Sequence, residues 1–123
     1  MAQLQAGKPI CPSAALVEGG AGVRFRVQWG ARPAAAFVVR SGGVARAYLN
    51  TCAHRGVELD WEPGRFFDAA GQWLVCSTHG ALYDPASGDC AGGPCRGASL
   101  TTLPVREDDG NVCLVVTDGL DLA

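Results

Sequence analysis

Both histidines of the 123-residue chain stand beside a cysteine at ligand spacing, His54 in Cys52-Ala53-His54-Arg55-Gly56 and His79 in Cys76-Ser77-Thr78-His79-Gly80. Each half offers one thiolate and one imidazole. Brought side by side, a Cys-x-His loop and a Cys-x-x-His loop give one all-sulfur pair and one all-nitrogen pair. That donor set suits a 2Fe-2S cluster with two thiolates on one iron and two imidazoles on the other. Cys52 and Cys76 then take the inner iron and His54 and His79 the outer. Replacing two thiolates by neutral imidazoles removes two negative charges from the site, so the cluster accepts an electron more readily than an all-thiolate one.

Two other chemistries use the same residue types. A structural zinc would take two cysteines and two histidines, making the chain a zinc-stabilised binding module, but zinc sites usually group Cys with Cys and His with His rather than interleaving them. A Cys-His nucleophilic pair would need a third, orienting group; none is marked, and the pair is duplicated. Gly56, Gly80, Gly92 and Gly93 can turn backbone N–H groups toward sulfur, and Pro94, in Gly92-Gly93-Pro94-Cys95, can close over the far side. Arg55 is either a solvated charge or a cation beside the reduced cluster.

The elements that must hold these loops are short strands. From Val23 to Trp29 apolar and polar residues alternate, with Val23, Phe25, Val27 and Trp29 on one face and Arg24, Arg26 and Gln28 on the other. Ala34 to Arg40 and Val44 to Asn50 form a hairpin around Ser41-Gly42-Gly43, and its return strand runs into Thr51-Cys52. Arg65 to Phe67 and Gln72 to Val75 flank Asp68 to Gly71 as a second hairpin ending at Cys76, so both ligand loops leave strand ends. Ala81-Leu82-Tyr83 and Asp89-Cys90 enclose the turn Asp84 to Gly88, and Leu100 to Arg106 with Val112 to Thr117 make a last hairpin. Ile10-Cys11 fits a brief edge strand, and Ser13 a cap on one helical turn. No segment has sustained helical periodicity, so the expected fold is all-β and antiparallel, in small stacked sheets or a barrel, with the cluster-binding loops at one tip.

At this length residues 1–123 make a single domain, with its cluster-binding part at about 52–95. Ten basic and twelve acidic residues give a net charge of −2, which supplies no basic footprint for nucleic acid or an anionic membrane. The N-terminus has no apolar run of signal-peptide length and no stretch is long enough to span a bilayer, so the expectation is a soluble, cytoplasmic protein. In a reducing compartment Cys11, Cys90, Cys95 and Cys113 read as small buried hydrophobes with free thiols.

The pattern Cys-x-His-Arg-Gly, Cys-x-x-His-Gly and Gly-Pro-Cys resembles the Rieske family, and within it the Rieske-type ferredoxins more than the Rieske subunits of cytochrome bc complexes. The resemblance is specific from Cys52 to Cys95 and extends as a fold from about Val23 to Val116. It implies a three-sheet β fold with the cluster at one tip and one-electron transfer between a reductase and a terminal oxygenase or similar redox enzyme. The chain would then be a carrier and not an enzyme; the alternative is a small Rieske subunit of a larger oxidoreductase, nitrite-reductase-like or an oxygenase. The ligands by resemblance are Cys52, His54, Cys76 and His79, with Pro94 in the covering loop. Members from cytochrome bc complexes carry an extra cysteine in each ligand loop, where this chain has Val57 and Thr78. High-potential relatives have a serine and a tyrosine that donate hydrogen bonds to cluster sulfurs; Tyr83 occupies the tyrosine position, and Ala81 stands where the serine would be. The twenty-one residues from Arg55 to Val75 are a long gap for a ferredoxin, so the Asp68 to Gly71 hairpin is expected to project. The pattern gives Cys90 and Cys95 no role.

Overall fold

A computed structural model describes residues 7–51, 59, 64–68, 70–76, 80–93 and 97–123. The described chain holds eleven strands, β1 (Gly7–Pro12), β2 (Val23–Trp29), β3 (Arg32–Ser41), β4 (Val44–Leu49), β5 (Leu74–Val75), β6 (Leu82–Tyr83), β7 (Cys90–Gly92), β8 (Thr102–Leu103), β9 (Val105–Asp108), β10 (Asn111–Val115) and β11 (Leu120–Leu122), with one 3-10 turn at Ser13–Ala15. They form three sheets, ordered β1-β10-β9, β11-β2-β3-β4-β8 and β5-β6-β7, with every strand pairing antiparallel. Among the described residues no helix is long and apolar enough to cross a membrane.

The five-stranded sheet has a core on each face. Successive residues of a strand point to opposite sides, so in β3 Ala36 and Val38 enter one core while Phe37 and Val39 enter the other. Cross-strand partners share a face: Ala47 of β4 pairs with Val38 and joins the first core, and Tyr48 pairs with Phe37 and joins the second. The first core, with Val27, Leu103, Val112, Leu114 and Leu120, closes against the β1-β10-β9 sheet. The second, with Leu59, Phe66, Leu74, Cys76, Ala81, Tyr83 and Leu100, holds the ends of the ligand loops. Phe66 stacks on Phe37 with ring centroids 4.0 Å apart, so aromatic contact joins the small sheet to the large one.

Several expectations change in detail. Pro12, not a cap from Ser13, precedes the 3-10 turn and makes no side-chain cap bond. Trp29, on the apolar side of the alternation, is 42% exposed, because β2 ends there beyond the core. Pro104 separates β8 from β9, so Leu100 to Arg106 is two short strands serving different sheets. The Asp68 to Gly71 turn does not stand free. A Cβ on Gly71 would lie 3.2 Å from the Gly19 carbonyl oxygen, and one on Gly19 3.0 Å from that of Gly71, so the two backbones pack face to face.

Arg40 ties the first sheet to the second. Its guanidinium makes a two-pronged pair with Glu107 at 2.9 Å for each oxygen and also donates to the Leu16, Ser13 and Gly43 carbonyls. The Arg40 hydrogen bonds, with help from Ser13, hold the Glu107 carboxyl down at about 2.

Candidate metal centre

The second ligand loop starts where β5 ends. The Cys76 N–H donates to the Ala81 carbonyl at 2.9 Å and the Gly80 N–H to the Cys76 carbonyl at 2.8 Å, so the two ends of the second loop are tied together, with Gly80 in the left-handed region at φ 74°. Cys76 is fully buried and its sulfur is unbridged. Two other described cysteines are unbridged, Cys11 and Cys113, both buried and on the first sheet. They fit the expected free, buried thiols, and burial pushes the Cys11 thiol up, which keeps it inert. Cys90 departs from that expectation, because it is disulfide-bonded.

The first ligand loop hangs from Asn50, which the sequence does not single out. This side chain is almost wholly buried; its Oδ1 accepts the Leu59 N–H at 2.8 Å, and its own N–H donates to the Ala35 carbonyl at 2.8 Å. One residue thus fixes the loop from 50 to 59 at both ends and to β3. A short amide next to a strand end commonly bonds local backbone, the only signal of it in sequence.

A third segment lies against the second loop. Gly93 has φ 81°, and a Cβ there would be 2.8 Å from the Gly80 carbonyl oxygen and 3.1 Å from the Ala81 Cα, so only glycine fits. Behind it, Tyr48 donates its hydroxyl to the Pro85 carbonyl at 2.8 Å, pinning the Asp84 to Gly88 turn to the central sheet; burial pushes this phenol up to about 12. Tyr83 is fully buried, paired in the ladder with Leu74 and Cys90. Ala81 is fully buried as well, and its side chain offers no donor.

Cys52, His54, His79, Arg55, Gly56, Pro94 and Cys95 lie outside the described residues, as do Val57 and Thr78. What is described fits a metal cradle: a buried cysteine in no disulfide at Cys76, and two loop bases packed in one core through Leu59, Cys76 and Ala81. Residues 7–107 match the Rieske 2Fe-2S domain family.

The chain belongs to that family. Its cofactor is a Rieske-type 2Fe-2S cluster, and the antiparallel three-sheet architecture is that of a Rieske ferredoxin. The structure superposes on the ferredoxin of Sphingomonas yanoikuyae B1 with a TM-score of 0.71 at 24% identity, covering 91% of this chain and 100% of that one. The ferredoxin of carbazole 1,9a-dioxygenase from Nocardioides aromaticivorans IC177 fits with a TM-score of 0.69 at 20% identity, over 91% of this chain and 99% of that one. The terminal oxygenase of carbazole 1,9a-dioxygenase from the same organism also gives 0.69, at 24% identity over 91% of this chain, but the Rieske chain spans only 30% of the oxygenase. No curated protein matches the sequence.

Proposed function

We propose that this Rieske protein is a one-electron carrier of ferredoxin type, taking electrons from a reductase and passing them to an oxygenase or similar terminal enzyme, with no catalysis of its own. Cys52 and Cys76 hold the inner iron and His54 and His79 the outer. The observation that carries the reading is the buried Cys76, in no disulfide and backbone-bonded to Gly80 and Ala81, packed in one core with Leu59 at the base of the loop that contains Cys52 and His54. When bound, the cluster supplies storage for one electron. The chain's part is to hold two loops at fixed spacing from rigid β-structure, so that little rearranges when charge changes. Asn50 does this for the first loop, and the Cys76 to Ala81 bonds with Gly93 do it for the second. Phe66, Leu74 and Tyr83 keep water from the protein side of the site. The fit to whole ferredoxins supports a separate carrier.

The purified protein is expected to be red-brown, with two irons and two acid-labile sulfides per chain. A colourless protein with stoichiometric zinc would overturn the reading. A second reading, a small Rieske subunit of a larger oxidoreductase, draws on the equal TM-score of 0.69 for the oxygenase. Affinity purification from native cells separates the two: a carrier elutes alone from a sizing column, whereas a subunit copurifies with a larger chain in fixed ratio. Substrate turnover by the isolated chain, given only a chemical reductant and oxygen, would refute the non-catalytic assignment, because a mononuclear oxygenase iron needs two further histidines and a carboxylate and both histidines here are committed.

A further inference from the structure

β2 ends in Trp29, whose indole is on the first-core side of the large sheet, in line with Val27, yet stays 42% exposed. It borders a groove of about 450 Å³ whose other walls include Gly30, Thr102, Pro104, Asp118 and Leu120. The groove is built of fixed parts. Leu120 pairs with Trp29 in the ladder, Thr117 and Leu120 exchange two hydrogen bonds at 3.0 Å, and the Gly30 N–H donates to the Gly119 carbonyl at 2.7 Å, so the 117–120 turn is tied to the end of β2. On the other side of Trp29 its ladder partner is Arg32, whose side chain shares the indole's face. Arg32 and Asp118 therefore flank the indole on opposite sides. Among the described residues neither makes an ion pair, whereas Lys8 is held by Asp121 and Arg40 by Glu107.

We propose that this patch is a contact between two copies of the chain, related by a two-fold axis near Trp29, with Arg32 of each copy facing Asp118 of the other. An exposed indole beside an apolar wall anchors an interface well, because its removal from water is favourable and it has little side-chain freedom to lose. The charges choose the occupant. A rim of one sign calls for a partner of the opposite sign, whereas one cation and one anion on opposite flanks of an apolar centre are complementary to a copy of themselves under a two-fold rotation. A net charge of −2 leaves only slight repulsion between whole molecules. Because the turn is already hydrogen-bonded to β2, little has to be ordered on contact. The bases of the ligand loops, Leu59, Cys76 and Ala81, lie in the core on the other face of the sheet, so pairing through Trp29 is separate from them. A contact centred on one indole and one charge pair per copy gives a reversible dimer and not a permanent one.

Sedimentation equilibrium of the holoprotein at low salt, over a concentration series, is expected to show the mass rising from that of one chain toward that of two. A wild type that keeps the mass of one chain at about 1 mM, where even a weak contact is populated, overturns the proposal. Trp29→Ala should weaken dimerisation at least about tenfold. Arg32→Asp and Asp118→Arg should each weaken it about tenfold, since each sets like charges face to face in both halves of the contact. The double variant, which exchanges the two charges, should recover the wild-type value. A dimer indifferent to Trp29→Ala, or single variants that the double does not rescue, overturns the assignment of this face. Rescue also separates a lost contact from a lost fold, and far-UV circular dichroism of each variant checks that the β-structure stands. None of these readings depends on which metal the protein holds, so the dimer and the cluster fail separately.

Discussion

The two faces of β3 look into cores built on different terms. The face of Ala36 and Val38 belongs to a core of mostly aliphatic side chains, closed by long hydrogen-bonded ladders such as the seven-residue β2 against the ten-residue β3. The face of Phe37 and Val39 belongs to a core of aromatic rings and loop ends, whose own sheet has strands of two and three residues. Hydrophobic burial and backbone pairing suffice for the first. So small a sheet is marginal alone, and the second region draws its order from stacking on the first, to which the crosslink of the proposed cluster ligands would add. Scaffold and site therefore share a sheet without sharing a source of stability.

The most severe way to break the pairing is to remove a ligand. Cys76→Ser, like Cys52→Ser, His54→Ala or His79→Ala, is expected to abolish the red-brown colour. Amide exchange followed by mass spectrometry should then show β5, β6 and β7 losing protection while β2, β3 and β10 keep theirs. Equal loss in both regions would mean that the scaffold does not stand alone.

Next comes the joint between the regions. Phe37→Ala removes a fully buried ring that touches both Phe66 and Tyr48 and should cost about 3–5 kcal/mol in urea unfolding. A cost below about 1 kcal/mol would place the joint elsewhere.

A smaller effect belongs to the scaffold. Glu107 has its folded-state pKa held below the ordinary 4.5, so its bond to Arg40 stabilises above that value and is lost as pH falls toward about 2. Because the pair is part-exposed, Glu107→Gln should cost only about 1 kcal/mol at neutral pH. The gap to wild type should close on acidification, and a gap that stays constant with pH would dissociate it from this carboxylate.

The finest test concerns the site alone. A donor to a cluster sulfur stabilises the reduced, more negative state, and one hydrogen bond of about 1 kcal/mol corresponds to roughly 40 mV for one electron. Tyr83→Phe is expected to lower the potential by that order and Ala81→Ser to raise it by some tens of millivolts. Protein-film voltammetry reads both, and an unchanged Tyr83→Phe value would show that the phenol does not reach the cluster.

What the sequence disclosed follows the same division. The strict alternation from Val23 to Trp29 marks β2 to the residue, and Gly42-Gly43 marks the β3–β4 hairpin, with both glycines at positive φ. The final strand, Leu120–Leu122, escapes pattern reading because three residues with a central Asp121 carry too little periodicity; it forms by pairing with Trp29, Gln28 and Val27. In the site, donor types at ligand spacing were legible because few chemistries use that set. The supports were not: Asn50 and the packing of Gly93 on Gly80 and Ala81 act through close approaches between segments that are separated in sequence, and residue type alone does not encode these.

The pairing of β1 with β10 sets Gly7 opposite Val115 and Pro9 opposite Cys113, with Lys8 reaching Asp121 at 2.8 Å. Nearly the whole chain lies between those partners, whereas β2, β3 and β4 are successive hairpins. Closing so long a loop costs entropy before any contact repays it, and folds dominated by distant pairings assemble slowly. The meander of β2 to β4 is therefore the expected nucleus, and β1, although it precedes the meander in sequence, is expected to be among the last strands to find its place. Until it docks, the edge of β10 stays open, and that interval is when the nascent protein is most exposed to pairing with another chain.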